Sequence, residues 1–173
     1  MHLEGNRLVS GSTDLTITVW DLSISVWSSI ACRLTMVGHT DTVRCVQMDQ
    51  DRDMVISGSY DTTLKVWELK TGIFIKTLHA HSAPVLAIQA QGNRLISGSG
   101  DKTIRIWHLD TGYCATVLAG HNDAVTCLTL DGEEQRIVSG SLDRTIKVWS
   151  IATLECLNTL DWMSNEGHTG VVR

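Results

Sequence analysis

Short apolar runs separated by turn residues recur along the whole chain. Runs rich in valine, isoleucine, leucine and threonine span residues 94–96, 103–107 and 114–118. Glycine and aspartate separate the first of these runs from the second, and a glycine-containing turn at 110–112 separates the second from the third. No segment keeps apolar residues at helical spacing, so the pattern predicts an all-β fold of short strands joined by tight turns.

The runs belong to a repeat whose period is close to 42 residues. Its tryptophans stand at positions 20, 67, 107 and 149, in steps of 47, 40 and 42, and the histidines of a preceding Gly-His or Ala-His pair stand at 39, 81, 121 and 168. The four tryptophan segments read VSGSTDLTITVWD (9–21), ISGSYDTTLKVWE (56–68), ISGSGDKTIRIWH (96–108) and VSGSLDRTIKVWS (138–150). This period and these markers resemble the WD-repeat family, which implies a β-propeller with one four-stranded antiparallel sheet per blade.

Counting the repeats gives about four blades, hence a partial ring. Residues 38–79, 80–119 and 120–166 are full repeats, 1–37 are a partial blade that lacks its first strand, and 167–173 start the next repeat. Because a propeller closes into a ring of four to eight blades, usually within one chain, we expect this chain to be part of a longer protein. The alternative is a short chain that closes its ring by self-association.

Each full repeat contains a histidine, a serine, an aspartate and a tryptophan at fixed spacing. Serine, histidine and aspartate together are also the composition of a catalytic triad, but no GxSxG motif surrounds these serines. The resemblance implies instead that the four residues form a hydrogen-bonded tetrad that ties the strands of one blade together. The sets are His39, Ser57, Asp61, Trp67; His81, Ser97, Asp101, Trp107; and His121, Ser139, Asp143, Trp149.

Composition and charge exclude several classes of function. The chain is 43% hydrophobic and 19% charged, with a net charge of −5, which is typical of a globular protein and argues against a nucleic-acid partner. No apolar run is long enough for a bilayer and no secretory signal is present, so we expect no membrane partner and a cytoplasmic or nuclear location.

No motif in the sequence indicates a cofactor or a metal. The five cysteines, at 32, 45, 114, 127 and 156, form no CxxC pair, and their repeat register predicts buried thiols. The repeat histidines fall in different blades, and no glycine-rich phosphate-binding motif occurs. We therefore expect a non-catalytic protein without cofactor or metal.

A finer resemblance suggests what the propeller binds. The segments GHTDTVRCVQMD, RLISGSGDKTIRIWHLDTGYCATVLAGH and RIVSGSLDRTIKVW are similar to the F-box/WD-repeat proteins, the substrate receptors of SCF-type ubiquitin ligases. In that family an arginine five residues after the Gly-His histidine grips the phosphate of a phosphorylated degron on the top face, and residues just before the turn aspartate help to line that face. These positions carry Arg44 and Arg173, and Tyr60 precedes a turn aspartate.

The resemblance therefore implies a phosphopeptide site formed by Arg44, Tyr60 and Arg173. At the arginine position the two intervening repeats carry Leu86 and Thr126, and the other residues before the turn aspartate are Thr13, Gly100 and Leu142. No F-box precedes the repeats, so contact with the ligase adaptor would require a region upstream. The alternative is a general WD-repeat adaptor in signalling, transport, chromatin or RNA-processing assemblies, with no link to ubiquitin.

Overall fold

The structure, a computed structural model, describes residues 1–23, 31–131, 135–161 and 172. These residues form sixteen strands in four antiparallel sheets, which confirms the predicted all-β fold of four blades. The first sheet contains β1 (His2–Glu4), β2 (Arg7–Gly11), β3 (Thr16–Asp21) and β4 (Ala31–Val37). The second contains β5 (Val43–Asp49), β6 (Met54–Ser59), β7 (Leu64–Glu68) and β8 (Phe74–Leu78). The third contains β9 (Val85–Gln91), β10 (Arg94–Ser99), β11 (Thr103–His108) and β12 (Tyr113–Ala119). The fourth contains β13 (Val125–Asp131), β14 (Arg136–Ser141), β15 (Ile146–Ser150) and β16 (Cys156–Leu160).

The Ser-x-Asp-x-Thr sequence closes the hairpin between the second and third strands of a sheet. In the second sheet, the carboxylate of Asp61 accepts hydrogen bonds from the Thr63 amide at 2.9 Å and the Thr63 hydroxyl at 2.6 Å. The Ser59 hydroxyl oxygen accepts the Asp61 amide at 3.0 Å. The intervening Thr62 has a φ of 70°, a left-handed conformation that a β-branched residue rarely adopts. The side-chain bonds on both sides of Thr62 hold the turn in this conformation.

The turn after the tryptophan uses glycine for its left-handed residue. Gly72 has a φ of 73°, and its amide donates to the Glu68 carbonyl at 2.9 Å. Gly112 repeats this geometry with a φ of 74° and a 2.8 Å bond to the His108 carbonyl. Glycine adopts this conformation without the steric cost that a Cβ brings, so the Thr-Gly pairs at 71–72 and 111–112 fix the start of the outer strands.

The hydrophobic core lies between successive sheets. Sheets of this kind are apolar on both faces, so each interface takes one face from each neighbour. The first interface contains Val9, Ile17, Val19, Met36, Val43, Val46, Met48, Val55, Trp67 and Leu69. The second contains Ile56, Leu64, Val66, Leu78, Val85, Ala90, Leu95, Trp107 and Leu109. The third contains Ile96, Ile104, Ile106, Leu118, Val125, Ile137 and Trp149. The sheets therefore follow one another along an arc in sequence order.

The first sheet differs from the prediction, because it has a first strand. Strand β1 is three residues long and pairs His2, Leu3 and Glu4 with residues 7–9 of β2. A turn at Gly5, with a φ of 54°, joins the two strands. The repeat pattern does not mark this strand, because no Gly-His pair precedes it.

The prediction of buried thiols is wrong for two of the five cysteines. Cys32 and Cys156 are exposed, whereas Cys45, Cys114 and Cys127 are half-buried. Both exposed cysteines lie in outer strands, opposite Trp20 and Trp149 respectively. Cys114 occupies the same register position in the outer strand β12, opposite Trp107, and is half-buried, so register alone does not decide whether these thiols are exposed.

Candidate functional site

The predicted tetrad residues of the second sheet are joined in one chain of hydrogen bonds. His39 Nδ1 lies 2.7 Å from the Asp61 carboxylate, and His39 Nε2 lies 2.7 Å from the Ser57 hydroxyl oxygen. Trp67 Nε1 donates to the same hydroxyl oxygen at 3.0 Å. The tetrad thus links the loop before β5, strand β6, the following turn and strand β7.

The third and fourth sheets repeat this geometry almost without change. In the third sheet the histidine–aspartate, histidine–serine and tryptophan–serine distances are 2.7, 2.7 and 2.9 Å. In the fourth sheet they are 2.8, 2.7 and 2.9 Å. The residues are His81, Asp101, Ser97 and Trp107, then His121, Asp143, Ser139 and Trp149.

Burial decides the protonation of the three histidines. Their side chains are almost completely enclosed, and this desolvation lowers the pKa of His39, His81 and His121, although the paired aspartate partly opposes it. In the neutral imidazole, Nδ1–H donates to the aspartate, and Nε2 accepts from the serine hydroxyl. The hydrogen bonds of each tetrad therefore run in one direction. The tryptophan indole donates to the serine, the serine hydroxyl donates to the histidine, and the histidine donates to the aspartate.

The aspartates remain ionised for a related reason. Burial by itself would raise the pKa of Asp61, but bonds from the Thr63 hydroxyl, His39 and two backbone amides outweigh it and lower the pKa to about 2. Burial also acts to raise the pKa values of Asp101 and Asp143. Hydrogen bonds to their carboxylates outweigh this effect, so both pKa values are lowered. Each tetrad therefore keeps an ionised aspartate whose carboxylate oxygens accept hydrogen bonds.

This geometry does not suit a nucleophile. The Ser57 and Ser97 side chains have no exposed surface, and Ser139 is 1% exposed. Each hydroxyl oxygen also accepts a bond from a buried indole. A substrate carbonyl cannot approach such an oxygen, so the arrangement supports a structural role for the tetrads rather than the triad interpretation.

The first sheet holds only part of this arrangement. Trp20 Nε1 donates to the Ser10 hydroxyl oxygen at 2.9 Å, and Asp14 caps its turn by accepting from the Thr16 hydroxyl at 2.6 Å. Among the described residues no histidine completes the set, and Trp20 is half-buried where its three counterparts are at most 2% exposed.

A second group of repeat positions converges on one open pocket of about 300 Å³. We call the surface that carries this pocket the top face. Arg44 and Tyr60 of the second sheet line it together with Leu86 of the third and Thr126 and Leu142 of the fourth. All five occupy one of two repeat registers that the sequence identifies, five residues after the repeat histidine or directly before the turn aspartate. Only Arg44 and Tyr60 of the five are predicted from the sequence to bind a peptide. Arg173, the third predicted binding residue, lies outside the described residues.

Arg44 is the cation of this pocket. Its side chain is exposed, and among the residues that the structure describes it has no ion-pair or hydrogen-bond partner. By contrast, Lys65 and Lys147 on the outer part of the sheets donate to Thr77 and Thr159 at 2.9 and 2.8 Å. The Arg44 guanidinium is therefore available to a ligand.

The described residues offer neither a metal cluster nor a membrane-spanning helix. No group of three or more histidine, cysteine, aspartate or glutamate side chains is arranged to hold a metal ion in the described part of the chain. Within the same part, no helix has the length and apolar character needed to cross a membrane.

Comparison with known families matches most of the chain. The family described as "WD domain, G-beta repeat" matches residues 1–21, 30–68, 72–108 and 112–150. The first segment contains the three inner strands of the first sheet, and each of the other three contains the outer strand of one sheet and the first three strands of the next, so the family repeat is offset from the sheet by one strand.

Two fungal proteins are among the similar curated sequences. Cell division control protein 4 of Saccharomyces cerevisiae is 30% identical over 159 residues, which cover 78% of this chain and 20% of that protein. The WD repeat-containing protein pop1 of Schizosaccharomyces pombe is 44% identical over 46 residues, covering 27% of this chain and 5% of that protein. The chain thus spans a fifth or less of either relative.

A solved structure has the same arc. The crystal structure of the computationally designed Ika8 protein superimposes with a TM-score of 0.83 at 31% sequence identity. The match covers 98% of this chain and 49% of the Ika8 chain.

Proposed function

The chain belongs to the WD-repeat family, and from that premise we propose that it is a non-catalytic propeller whose top face binds a phosphorylated peptide. Propellers of this family are protein-interaction domains. The finer proposal is that this one recognises substrates for a ubiquitin ligase, as the sequence resemblance to the F-box/WD-repeat receptors implies.

The observation that carries the proposal is the unpaired Arg44 at the wall of the top-face pocket. A guanidinium donates two parallel, charge-assisted hydrogen bonds to a phosphate, and it suits this role better than an ammonium does. Because Arg44 has no carboxylate partner among the described residues, binding a phosphate there breaks no existing ion pair.

The rest of the pocket favours a peptide over a free phosphate. Leu86, Leu142 and the 41% exposed ring of Tyr60 surround the cation with apolar surface. An isolated phosphate would leave that surface in water. A peptide with an apolar side chain next to the phosphorylated residue would bury it, and the buried area would add to the affinity.

Peptide binding with and without phosphate tests the proposal. Fluorescence anisotropy would compare a phosphoserine and phosphothreonine peptide library with the same peptides unmodified. Loss of a hydrogen bond to a charged group costs about 1.5–3 kcal/mol, so Arg44→Ala is expected to weaken phosphopeptide binding about tenfold or more. Arg44→Lys is expected to restore part of the loss, since it keeps the charge without the fork.

Arg33 supplies the matched control. It lies on the outer strand β4, 3.4 Å from Asp21, and Arg33→Ala removes one positive charge far from the top face. This variant should bind phosphopeptides as the unmodified chain does. Equal affinity for phosphorylated and plain peptides would reject phosphate recognition and favour the general WD-repeat adaptor.

A further inference from the structure

At each interface between successive sheets, the outer strand of one sheet meets the glycine turn of the next. In the first interface, Leu34 of β4 lies beside Gly72, and a Cβ built on that glycine would stand 3.9 Å from Leu34 Cδ1. In the second interface, the Lys76 ammonium of β8 reaches across and donates to the Leu109 carbonyl at 2.9 Å. Leu34 and Lys76 therefore close the seam at these two interfaces.

The third interface lacks this closure. By strand register, Thr116 of β12 stands where Leu34 stands in β4 and Lys76 in β8, and its side chain is shorter than either. The residue before it is also small, because Ala115 takes the place of Ile75. An open groove of about 170 Å³ remains, which we call the side groove. The side groove is lined by Ala115, Thr116, Ile151 and Leu154, together with Arg94 and His108.

The wall that the fourth sheet contributes is apolar and open to solvent. Ile151 occupies the register of Leu69 and Leu109, and it is half-buried where each of those leucines is 2% exposed. Leu154 takes the place of Gly112 in its turn, with a φ of 64° and 43% of its surface exposed. Glycine would adopt this left-handed conformation without steric cost, whereas leucine does not. Strained residues of this kind concentrate at functional sites.

The groove also carries a cation without a counter-charge. Arg94 Nη1 donates to the Gln135 side-chain oxygen at 3.0 Å, and no carboxylate among the described residues pairs with this guanidinium. The residue opposite Arg94 in the neighbouring strand is His108. In the first sheet the corresponding pair is Arg7 and Asp21, an arginine with a carboxylate. The third sheet therefore leaves its arginine available to an external acid.

We propose that the side groove binds an extended acidic peptide segment of a partner protein. An apolar side chain of the peptide packs on Ile151 and Leu154, and a neighbouring carboxylate receives the fork of hydrogen bonds from Arg94. A guanidinium suits a carboxylate because its planar fork matches the two oxygens.

The shape of the groove favours a peptide over a free small molecule. Sites for small molecules enclose most of the ligand in about 300–1,000 Å³, whereas this groove is open and measures about 170 Å³. One side chain of a larger partner fits such a space. A neighbouring open pocket of about 380 Å³, to which Arg94 and His108 also contribute, leaves room for the polar remainder of the segment.

The side groove is separate from the top-face pocket. Arg94 begins β10. Gly100, in the register of Tyr60 and Leu142 of the top-face pocket, follows the other end of that strand. The two walls of the groove belong to the third and fourth sheets, which pack on each other within the described residues. The proposal therefore goes beyond the phosphopeptide site and does not rest on it.

Fluorescence anisotropy with short labelled peptide libraries tests the proposal. In the first library a leucine and an aspartate are fixed at varied separation, and the other positions are randomised. This library is expected to bind more tightly than libraries with lysine in place of the aspartate or serine in place of the leucine. Arg94→Ala is expected to weaken its binding at least about tenfold, because a hydrogen bond to a charged group is lost.

Thr116→Lys closes the groove in the way that Lys76 closes the second interface. We expect it to abolish binding, although its added positive charge would by itself attract an acidic peptide. Val117→Lys is the matched control, because it adds the same charge at the next residue of β12, where the side chain is 46% exposed and points to the other face of the sheet. This control should bind as the unmodified chain does.

Far-UV circular dichroism separates a filled groove from a misfolded chain, since both lysine variants should keep the wild-type β spectrum. If Thr116→Lys loses that spectrum, the Arg94→Ala result decides. Absence of binding at millimolar peptide, equal binding of the aspartate and lysine libraries, or unchanged affinity in a folded Thr116→Lys or in Arg94→Ala would overturn the proposal. Competition by decanoate, a free carboxylate with an apolar chain, would also overturn it, because the groove would then take a small molecule.

Discussion

Replacing Ser97 by alanine tests the structural role of the tetrads. The Ser97 hydroxyl oxygen accepts from Trp107 Nε1 at 2.9 Å and bonds to His81 Nε2 at 2.7 Å, and the serine has no exposed surface. Alanine leaves two buried polar atoms without partners, each at a cost of about 1–3 kcal/mol. We expect Ser97→Ala to reduce the free energy of unfolding by about 2–5 kcal/mol, which lowers the Tm of a chain of this size by roughly 5–15 °C.

Ser10 provides the matched comparison, because it occupies the same register position in the incomplete set. Its hydroxyl oxygen accepts only the Trp20 indole, at 2.9 Å, among the described residues. Trp20 is half-buried, so water can replace the lost partner. We expect Ser10→Ala to cost about 0.5–1.5 kcal/mol.

Urea denaturation followed by both circular dichroism and tryptophan fluorescence would measure the two variants. Two probes are needed because repeat proteins unfold cooperatively only when neighbouring units are well coupled. If Ser97→Ala costs no more than Ser10→Ala, the histidine bond contributes nothing and the reasoning is refuted.

Three further predictions concern pH, a turn and the thiols. The tetrad histidines have lowered pKa values in the folded protein, so below about pH 6.5 the unfolded chain binds more protons than the folded one. The urea concentration at the unfolding midpoint should therefore decrease as the pH is lowered past 6.5. It should decrease again between pH 3.8 and about 2, where Asp61 is protonated. A midpoint that stays constant from pH 7 to pH 4.5 would contradict the histidine assignment. Thr62→Gly should raise the free energy of unfolding by about 0.5–1 kcal/mol in the same assay, because glycine relieves the left-handed conformation at φ 70°; a loss of stability would show that Thr62 is unstrained. A thiol reagent at pH 8 should modify the exposed Cys32 and Cys156 quickly but Cys45 only on unfolding, since burial raises the Cys45 pKa to about 12. Mass spectrometry of tryptic peptides would measure the modification, and rapid labelling of Cys45 in the folded protein would contradict the prediction.

The sequence was sufficient for the features that depend on local order. Strand alternation, the Asp61 turn and the glycine turn at Gly72 all depend on residues within one hairpin, so the repeat pattern predicted them. The composition of each tetrad was equally visible, because its members recur at nearly constant spacing. Strand β1 escaped the pattern, since its pairing with β2 does not require the Gly-His pair that marks the other first strands.

The tertiary structure decided everything that depends on contact between sheets. It brought Arg44 and Tyr60 into one pocket with Leu86, Thr126 and Leu142, residues that lie as much as 98 positions apart in the chain. It left Arg44 without a partner among the described residues and exposed two cysteines whose register resembles that of half-buried ones. The physical reason is that a repeat fixes the register within each sheet, whereas the packing of whole sheets determines which side chains meet, which face solvent, and which grooves stay open.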